Sequence, residues 1–185
     1  MSRVVLGPEL IRVIRAQYGL PWQGIHGVSH WARVRETGLR LAEVTGANPA
    51  IVELFAVFHD ARRRNEEIDP QHGRRGAEFA ARLRGTLIHL PDPEFALLYQ
   101  ACADHTMGET KADITVQTCW DADRLDLGRV GITPDPTCLC TEAAKAIELR
   151  TWADQRSGEG HVPLIVHQEW AGSRGDQGPA EGCRG

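Results

Sequence analysis

The chain has no excess of basic residues: 21 Lys and Arg stand against 25 Asp and Glu, which gives a formal net charge of -4. Neutralising a phosphate backbone requires a dense basic patch, so we expect no nucleic-acid duplex as a partner. The chain also has no apolar run long enough to cross a bilayer, and its first 20 residues lack the apolar segment of a secretory signal. These absences predict a cytoplasmic protein with no membrane partner.

Cysteine is scarce, and no two cysteines have the CxxC spacing. The five cysteines are Cys102, Cys119, Cys138, Cys140 and Cys183. An odd number without paired spacing suits a reducing compartment better than a disulfide framework. Cys138 and Cys140 could bind a soft metal ion, but they lack further ligands at the spacing of a zinc site.

The sequence has no alternating strand pattern of useful length, and it reads instead as a series of helices. Its length of 185 residues and 42% hydrophobic content fit one domain with a single core. We therefore predict an all-α bundle of about six or seven helices over residues 1–170, followed by a disordered tail over 171–185, which is rich in glycine and has no apolar periodicity. The run 162–166 is the only one that resembles a strand.

Proline marks four of the predicted helix starts, because it is favoured at the first helical position. These prolines are Pro8, Pro49 after Asn48, Pro70 after Asp69, and Pro93 after Asp92. A further helix is predicted over 141–156, with Thr141 as its cap and with Ala144, Ile147 and Trp152 facing inward.

Imidazoles and carboxylates occupy positions on otherwise apolar helix faces. His30, for example, shares its predicted face with Val34 and Leu41. A buried carboxylate or charged imidazole costs several kcal/mol unless it is paired or bound to a metal. The candidate metal ligands are His30, His59, Asp60, His72, His105 and Asp123.

Each histidine alone is explained at least as well by a hydrogen bond inside the core, and an HD dipeptide is common. The ordered set H, HD, H, H, D on separate apolar faces is a stronger signal, because one metal centre explains all of its members together.

This ordered set resembles that of the HD-domain superfamily over about residues 26–132. Metal ligands in that superfamily run His, then adjacent His-Asp, then a distant Asp. The first His commonly precedes an Arg-Val pair by three residues, as His30 does here, and the last Asp lies in an AD(R/K)L segment, as Asp123 does. The HGxxHW and DADRLD segments are similar to those of a small branch of the superfamily that has no assigned function.

The resemblance implies that His30, His59, Asp60 and Asp123 hold one divalent transition metal ion. It also implies that His72 and His105 hold a second ion, with Asp60 bridging the two. The ions could be Fe, Mn, Co, Ni or Zn, because mixed imidazole and carboxylate ligation suits all of them. His59 and Asp60 would then be central to catalysis. No GYP motif follows, so a cyclic-dinucleotide phosphodiesterase is not expected.

Four further residues are candidates for substrate contact or for orienting the ligands. His26 lies four residues before His30, but Gly27 suggests that the helix starts near Ser29, so His26 is expected to contact substrate or a metal ligand. Arg62 follows the HD pair and could bind a substrate phosphate, or it could belong to a solvated face. Asp121 and Asp126 could orient metal ligands or lie at the surface.

The leading functional hypothesis is hydrolysis of a nucleotide or another small phosphate ester at this metal centre. The same ligand order occurs in di-iron oxygenases of the inositol-oxygenase kind, so oxygen activation is the first alternative. The second alternative is a metal-stabilised binding or regulatory module without turnover. The sequence is compatible with a homodimer but does not specify one.

Overall fold

We describe the chain from a computed structural model, and the description covers residues 5–170. Within that range the all-α prediction is confirmed, and the only β-type pairing is an isolated bridge between Arg84 and Ile88. Seven α-helices in this part of the chain have ten or more residues, in agreement with the predicted six or seven. The predicted tail over 171–185 lies outside the described residues.

The α-helices follow one another along the chain, joined by connections of unequal length. They are α1 (Pro8–Gln17), α2 (Val28–Thr45), α3 (Pro49–Phe58), α4 (His72–Leu83), α5 (Asp92–Asp104), α6 (Ile114–Arg124), α7 (Glu142–Lys145) and α8 (Ile147–Gly158). Two 3₁₀ turns, Leu127–Val130 and Pro136–Cys138, separate α6 from α7, and a π-helical turn follows at Val166–Trp170.

Two of the predicted helix starts are confirmed by local chemistry. Pro8 opens α1, and Pro49 opens α3 with the Asn48 side chain accepting a hydrogen bond from the Ala50 N–H at 3.0 Å. Asn48 thereby satisfies one of the N–H groups that the first turn leaves unpaired.

The other two starts differ by one or two residues. α5 begins at Asp92, with Pro93 second, and α4 begins only at His72. Asp69 does not cap α4, because its carboxylate accepts from the Arg64 N–H at 2.9 Å and from Arg75. It closes the preceding loop instead.

The helix predicted over 141–156 is divided in two. Thr141 does cap the first part, where its hydroxyl accepts from the Ala144 N–H at 3.1 Å, and Ala144 is buried. The backbone then leaves the helical region at Ala146, with ψ at 131°, and α8 starts in a new direction. Ile147 is therefore 59% exposed, and its predicted inward position is wrong.

The strand-like run over 162–166 forms no strand, in agreement with the all-α prediction, and its last residues belong to a helical turn. The Val166 N–H donates to the Pro163 carbonyl at 3.0 Å, and the π-helical turn follows directly. Proline favours the first position of a helical turn, and it cannot donate to a strand neighbour.

α2 lies at the centre of the bundle, where it packs against α3 and α6, while α4 packs against α5. Two glycines in α4 allow it to approach its neighbours closely. A Cβ at Gly76 would lie 2.2 Å from the Phe58 carbonyl oxygen, and one at Gly73 would lie 2.3 Å from the Cys102 carbonyl oxygen. The first turns of α4 are thereby held against the C-terminal ends of α3 and α5.

No helix in the described part of the chain combines the length and the apolar character that crossing a membrane requires.

Candidate metal centre

The six predicted ligands come from five helix ends that meet in one region of the bundle. His30 lies in the first turn of α2, and His72 is the first residue of α4. His59 and His105 follow the last residues of α3 and α5, and Asp60 comes next after His59, while Asp123 lies in the last turn of α6. Packing of these ends brings together side chains that are up to 93 positions apart in sequence.

Four of the ligands form one compact group. The Nε2 atoms of His30 and His59 lie 3.0 Å apart. Oδ1 of Asp123 is 3.5 Å from the first and 3.6 Å from the second, and Oδ2 of Asp60 is 3.6 Å and 3.8 Å from them. Both imidazoles are fully buried, while the Asp123 side chain keeps 18% of its surface exposed and is the most accessible of the four.

The other two histidines form a second group on the opposite oxygen of the same aspartate. The Nε2 atoms of His72 and His105 lie 2.9 Å apart, and Oδ1 of Asp60 is 3.0 Å from the first and 3.9 Å from the second. Asp60 therefore lies between the two groups, with Oδ2 facing one and Oδ1 facing the other.

The opposite nitrogen of each of these four imidazoles faces a hydrogen-bond acceptor. A neutral imidazole that donates through Nδ1 carries an unprotonated lone pair on Nε2. Three of the four have backbone carbonyl acceptors, several of them carbonyls that a helix end leaves unpaired. The acceptors are Asp126 for His30, Phe55 and Ala56 for His59, Asp69 for His72, and Cys102 for His105.

Four lone pairs consequently converge in two pairs inside the protein. A proton shared between two Nε2 atoms could relieve the repulsion within a pair, but it would require a charged imidazole. Burial, followed by the Arg129 charge, lowers the pKa of His30 to about 4, and burial also lowers the pKa of His105 to about 4. At neutral pH these two imidazoles are uncharged, so a cation is the better partner for the lone pairs.

The two carboxylates are ionised in this environment. Burial by itself would raise the pKa of Asp60, but the surrounding imidazoles, that of His59 foremost, hold it well below the usual value. Burial likewise opposes ionisation of Asp123, whereas His59 and His105 bring its pKa down to about 2. Each carboxylate can therefore act as an anionic metal ligand.

Donor atoms about 3 to 4 Å apart are what an ion at about 2.0–2.2 Å from each donor requires. The buried groups His30, His59, Asp60 and Asp60, His72, His105 could each hold a metal ion, and Asp123 adds a further oxygen to the first. Neither of these groups within residues 5–170 includes a cysteine, so Cys138 and Cys140 take no part in the site.

Of the two aspartates that the sequence left as either orienting or surface residues, only Asp126 contacts a candidate ligand. Its Oδ2 accepts from His30 Nδ1 at 2.7 Å, and Arg33 donates to both of its oxygens at 2.7 Å and 3.0 Å. Asp121 instead accepts from the N–H groups of Cys140 and Thr141, at 2.6 Å and 2.8 Å. Asp126 orients His30, whereas Asp121 holds the segment that precedes α7.

Asp126→Asn is expected to weaken metal binding by about 10- to 100-fold, the usual cost of losing the partner that orients a ligand histidine. The amide is a weaker acceptor for His30 and loses the charge that Arg33 pairs with. Titration of the metal-free protein with Zn²⁺ measures the change. Asp135→Asn is the control, because the Asp135 carboxylate is exposed and, among the described residues, accepts hydrogen bonds only from Thr137. Equal affinities for the two variants would contradict the role.

His26 lies outside α2, as predicted, and beside the ligand cluster. His26 is 7% exposed, and the centroid of its ring is 6.4 Å from that of His30. Its Nδ1 is 2.5 Å from Oε2 of Glu66. Burial lowers the pKa of His26, and the hydrogen bond with Glu66 opposes this shift.

Arg62 does not contact the ligands, because its guanidinium donates to the Gln17 carbonyl at 2.6 Å and lies over the ring of Phe79. The next residue, Arg63, is the one that reaches them. Its Nη1 is 3.6 Å from Oδ1 of Asp60 and 3.3 Å from Nε2 of His72.

Sequence reasoning missed the buried arginines of the site. Arg63 could not be distinguished in the sequence from Arg62 and Arg64, because the orientation of the turn decides which of the three arginines points inward. Arg33 and Arg129 gave a signal that could have been used: Arg33 lies three residues after His30 on one helix face, and Arg129 three residues after Asp126. Arg129 donates to the carbonyls of Ile25 and Asp126, at 3.1 Å and 2.9 Å.

A surface cleft of about 820 Å³ lies beside α4 and α5, with Gln71, Arg74 and Tyr99 among its lining residues. It contains none of the six ligands, so cavity size alone does not point to the metal centre.

Searches of family models, curated proteins and solved structures gave no match to this chain.

Proposed function

We propose that this protein is a dinuclear metal-dependent phosphohydrolase, of the kind found in the HD superfamily, acting on a nucleotide or small phosphate ester. The observation that carries the proposal is the position of Asp60 between two buried histidine pairs, with one carboxylate oxygen facing each pair. A carboxylate shared in this way is suited to bridging two ions.

His30, His59, Asp60 and Asp123 would hold one ion, and Asp60, His72 and His105 would hold the other. Fe, Mn, Co, Ni and Zn all accept this mixture of nitrogen and oxygen ligands. When bound, two such ions supply an activated water and positive charge that stabilises the phosphoryl oxygens.

The charges around the site favour an anionic substrate. The carboxylates of Asp60, Asp123 and Asp126 are balanced in number by three buried guanidinium groups, those of Arg33, Arg63 and Arg129. Two divalent ions would then leave the site with a surplus of positive charge. A phosphate ester satisfies that surplus, whereas a neutral substrate does not.

Arg63 is the residue placed to bind the phosphoryl group. Its Nε and Nη2 are held by the carbonyls of Asn65 and Glu67, at 3.3 Å and 2.5 Å, so Nη1 is left to face the ligands. An ion on Nε2 of His72 would remove the acceptor that Nη1 now has. A phosphoryl oxygen would replace it, because a buried donor without a partner costs about 1–3 kcal/mol.

Arg63→Gln is expected to lower kcat/KM for a phosphomonoester by about 10- to 100-fold, through a higher KM, a lower kcat or both. This is the effect of losing a charged hydrogen bond of about 1.5–3 kcal/mol. Arg62→Gln is the matched control, since its guanidinium contacts Gln17 and Phe79 instead. Steady-state kinetics on both variants, with metal content checked by elemental analysis, measures the difference. Equal losses in the two variants would refute this role for Arg63.

The proposed function is tested by elemental analysis of the purified protein, followed by a screen of phosphate esters with each of the five metals in air and under anaerobic conditions. Hydrolysis at the same rate without oxygen supports the proposal. Turnover that requires oxygen would favour the oxygenase alternative, and bound metal with no turnover in any condition would favour a binding module.

A further inference from the structure

His26 is a buried histidine that the two metal groups do not include. It lies in the loop between α1 and α2, and its backbone is fixed independently of its side chain. The Tyr18 hydroxyl donates to the His26 carbonyl at 2.9 Å, and the Val28 N–H donates to the Trp22 carbonyl at 2.8 Å. The loop therefore holds the ring in place beside α2.

The side chain forms a dyad with Glu66. The distance of 2.5 Å from His26 Nδ1 to Glu66 Oε2 joins the loop before α2 to the loop after α3. Nδ1 donates to this carboxylate, so the ring orientation is set and Nε2 is the nitrogen available for chemistry. In this respect His26 resembles His30, whose Nδ1 also faces a carboxylate.

The difference between the two lies at Nε2. Nε2 of His30 faces His59, Asp60 and Asp123, whereas Nε2 of His26 has no hydrogen-bond partner among the described residues. This Nε2 also keeps some contact with solvent. Within residues 5–170, the polar side-chain atoms that are both fully buried and without a hydrogen-bond partner are three tryptophan indole nitrogens, and Nε2 of His26 is not among them.

The ring of His26 lies close to the candidate metal ligands. The ring centroid of His26 lies 6.4 Å from that of His30, nearly perpendicular to it, and His26 interacts electrostatically with Asp60, Arg63 and Arg129. An oriented imidazole with an open Nε2 beside a hydrolytic centre has the placement of a proton donor.

We propose that His26, oriented by Glu66, is a catalytic residue that protonates the leaving oxygen of the phosphate ester. This inference rests on the proposed hydrolytic function and adds a role to a residue outside the metal ligands. Glu66 is a positioning residue, since it acts through His26.

The step balances as follows for a monoester dianion. A water oxygen forms a bond to phosphorus while the bond from phosphorus to the leaving oxygen breaks, and the electron pair of that bond stays on the leaving oxygen. His26 enters the step as an imidazolium, protonated on both nitrogens, with the Glu66 carboxylate as its counter-ion. Its Nε2 proton passes to the leaving oxygen, which departs as an alcohol or phenol, and the neutral ring keeps the proton on Nδ1. The attacking water releases one proton to solvent, and His26 takes one proton back.

The experiment compares two substrates that differ in their need for a proton donor. p-Nitrophenyl phosphate has a leaving group that departs readily as an anion, whereas phenyl phosphate has a poorer one. His26→Gln should lower kcat for phenyl phosphate by about 10²- to 10³-fold, within the usual range for general acid catalysis, and kcat for p-nitrophenyl phosphate by less than about 10-fold. Glu66→Gln should show the same ordering with smaller losses, and His89→Gln, at an exposed site, should change neither.

A readout that does not depend on turnover accompanies the kinetics. With the histidine nitrogens labelled with ¹⁵N in the zinc-loaded protein, orthovanadate should shift the Nε2 signal of His26, which is assigned by its loss in His26→Gln. Metal content by elemental analysis should be the same in His26→Gln and wild type, since His26 is not a ligand.

The proton-donor role and the proposed function are overturned by different results. Equal losses for both substrates in His26→Gln, or an unshifted His26 signal, overturn the proton-donor role and leave the proposed function standing. Loss of bound metal in His26→Gln overturns it as well, because His26 would then support the ligands. Wild-type protein that binds metal and hydrolyses no ester of the screen, these two included, overturns the proposed function, and this inference with it.

Discussion

Asp60→Asn is expected to abolish phosphate-ester hydrolysis and to reduce the metal content from two ions to fewer than one per chain. Each oxygen of Asp60 faces one histidine pair, so a single substitution removes an anionic ligand from both groups. Losing only the partner that orients a ligand costs about 10- to 100-fold in metal affinity, so losing a shared ligand should cost more than about 100-fold. Elemental analysis and the phosphatase assay measure the two effects.

Asp104→Asn is the matched control for this substitution. Asp104 lies at the end of α5, next to His105, but it is not among the donor atoms of either group. It should keep full metal content and activity. If Asp60→Asn retained two ions per chain, the shared-ligand arrangement would be refuted, whatever its activity.

A large gain in thermal stability is expected when a fitting transition metal is added to the metal-free protein. Ions that bind only the folded state at a free concentration about 1,000 times Kd stabilise it by about 4 kcal/mol. For a chain of this size, each kcal/mol raises Tm by about 2–4 °C, so the expected shift is about 8–16 °C. The stabilisation arises because the ion neutralises two buried carboxylates and occupies the converging lone pairs.

Differential scanning fluorimetry with and without each metal measures the shift, and a chelator should reverse it. His89→Gln should retain the full shift, because His89 is exposed and distant from the ligands in sequence. His59→Ala should lose most of it. A Tm that stays within about 1 °C of the metal-free value for all five metals would show that the histidine pairs are ordinary core packing.

The helix starts show how far local sequence information extends. Asn48 and Pro49 determine the start of α3 by themselves, since both effects operate within three residues. The same reasoning fails at Asp69, because Arg64 and Arg75 compete for its carboxylate. It fails also at Ala146, where the backbone turns and no local signal marks the break.

The members of the cluster were predictable for a related reason. A histidine or aspartate on an apolar helix face is visible in the spacing of the sequence, so all six side chains that meet in the cluster could be named as candidate ligands before their positions were known. The residues around them could not be separated from their neighbours. Arg62 and Arg63, or Asp121 and Asp126, are equivalent in sequence, and they differ only in which direction the chain turns them.

The sequence by itself determined the helical class, the first positions of α1 and α3, and the six side chains that have no good reason to be buried singly. Only the tertiary structure decided that these side chains form two groups around Asp60, that Arg63 faces them, and that Glu66 holds His26. The physical reason is range: helix propensity and capping act within a few residues, whereas these distances are set by the packing of five helix ends far apart along the chain.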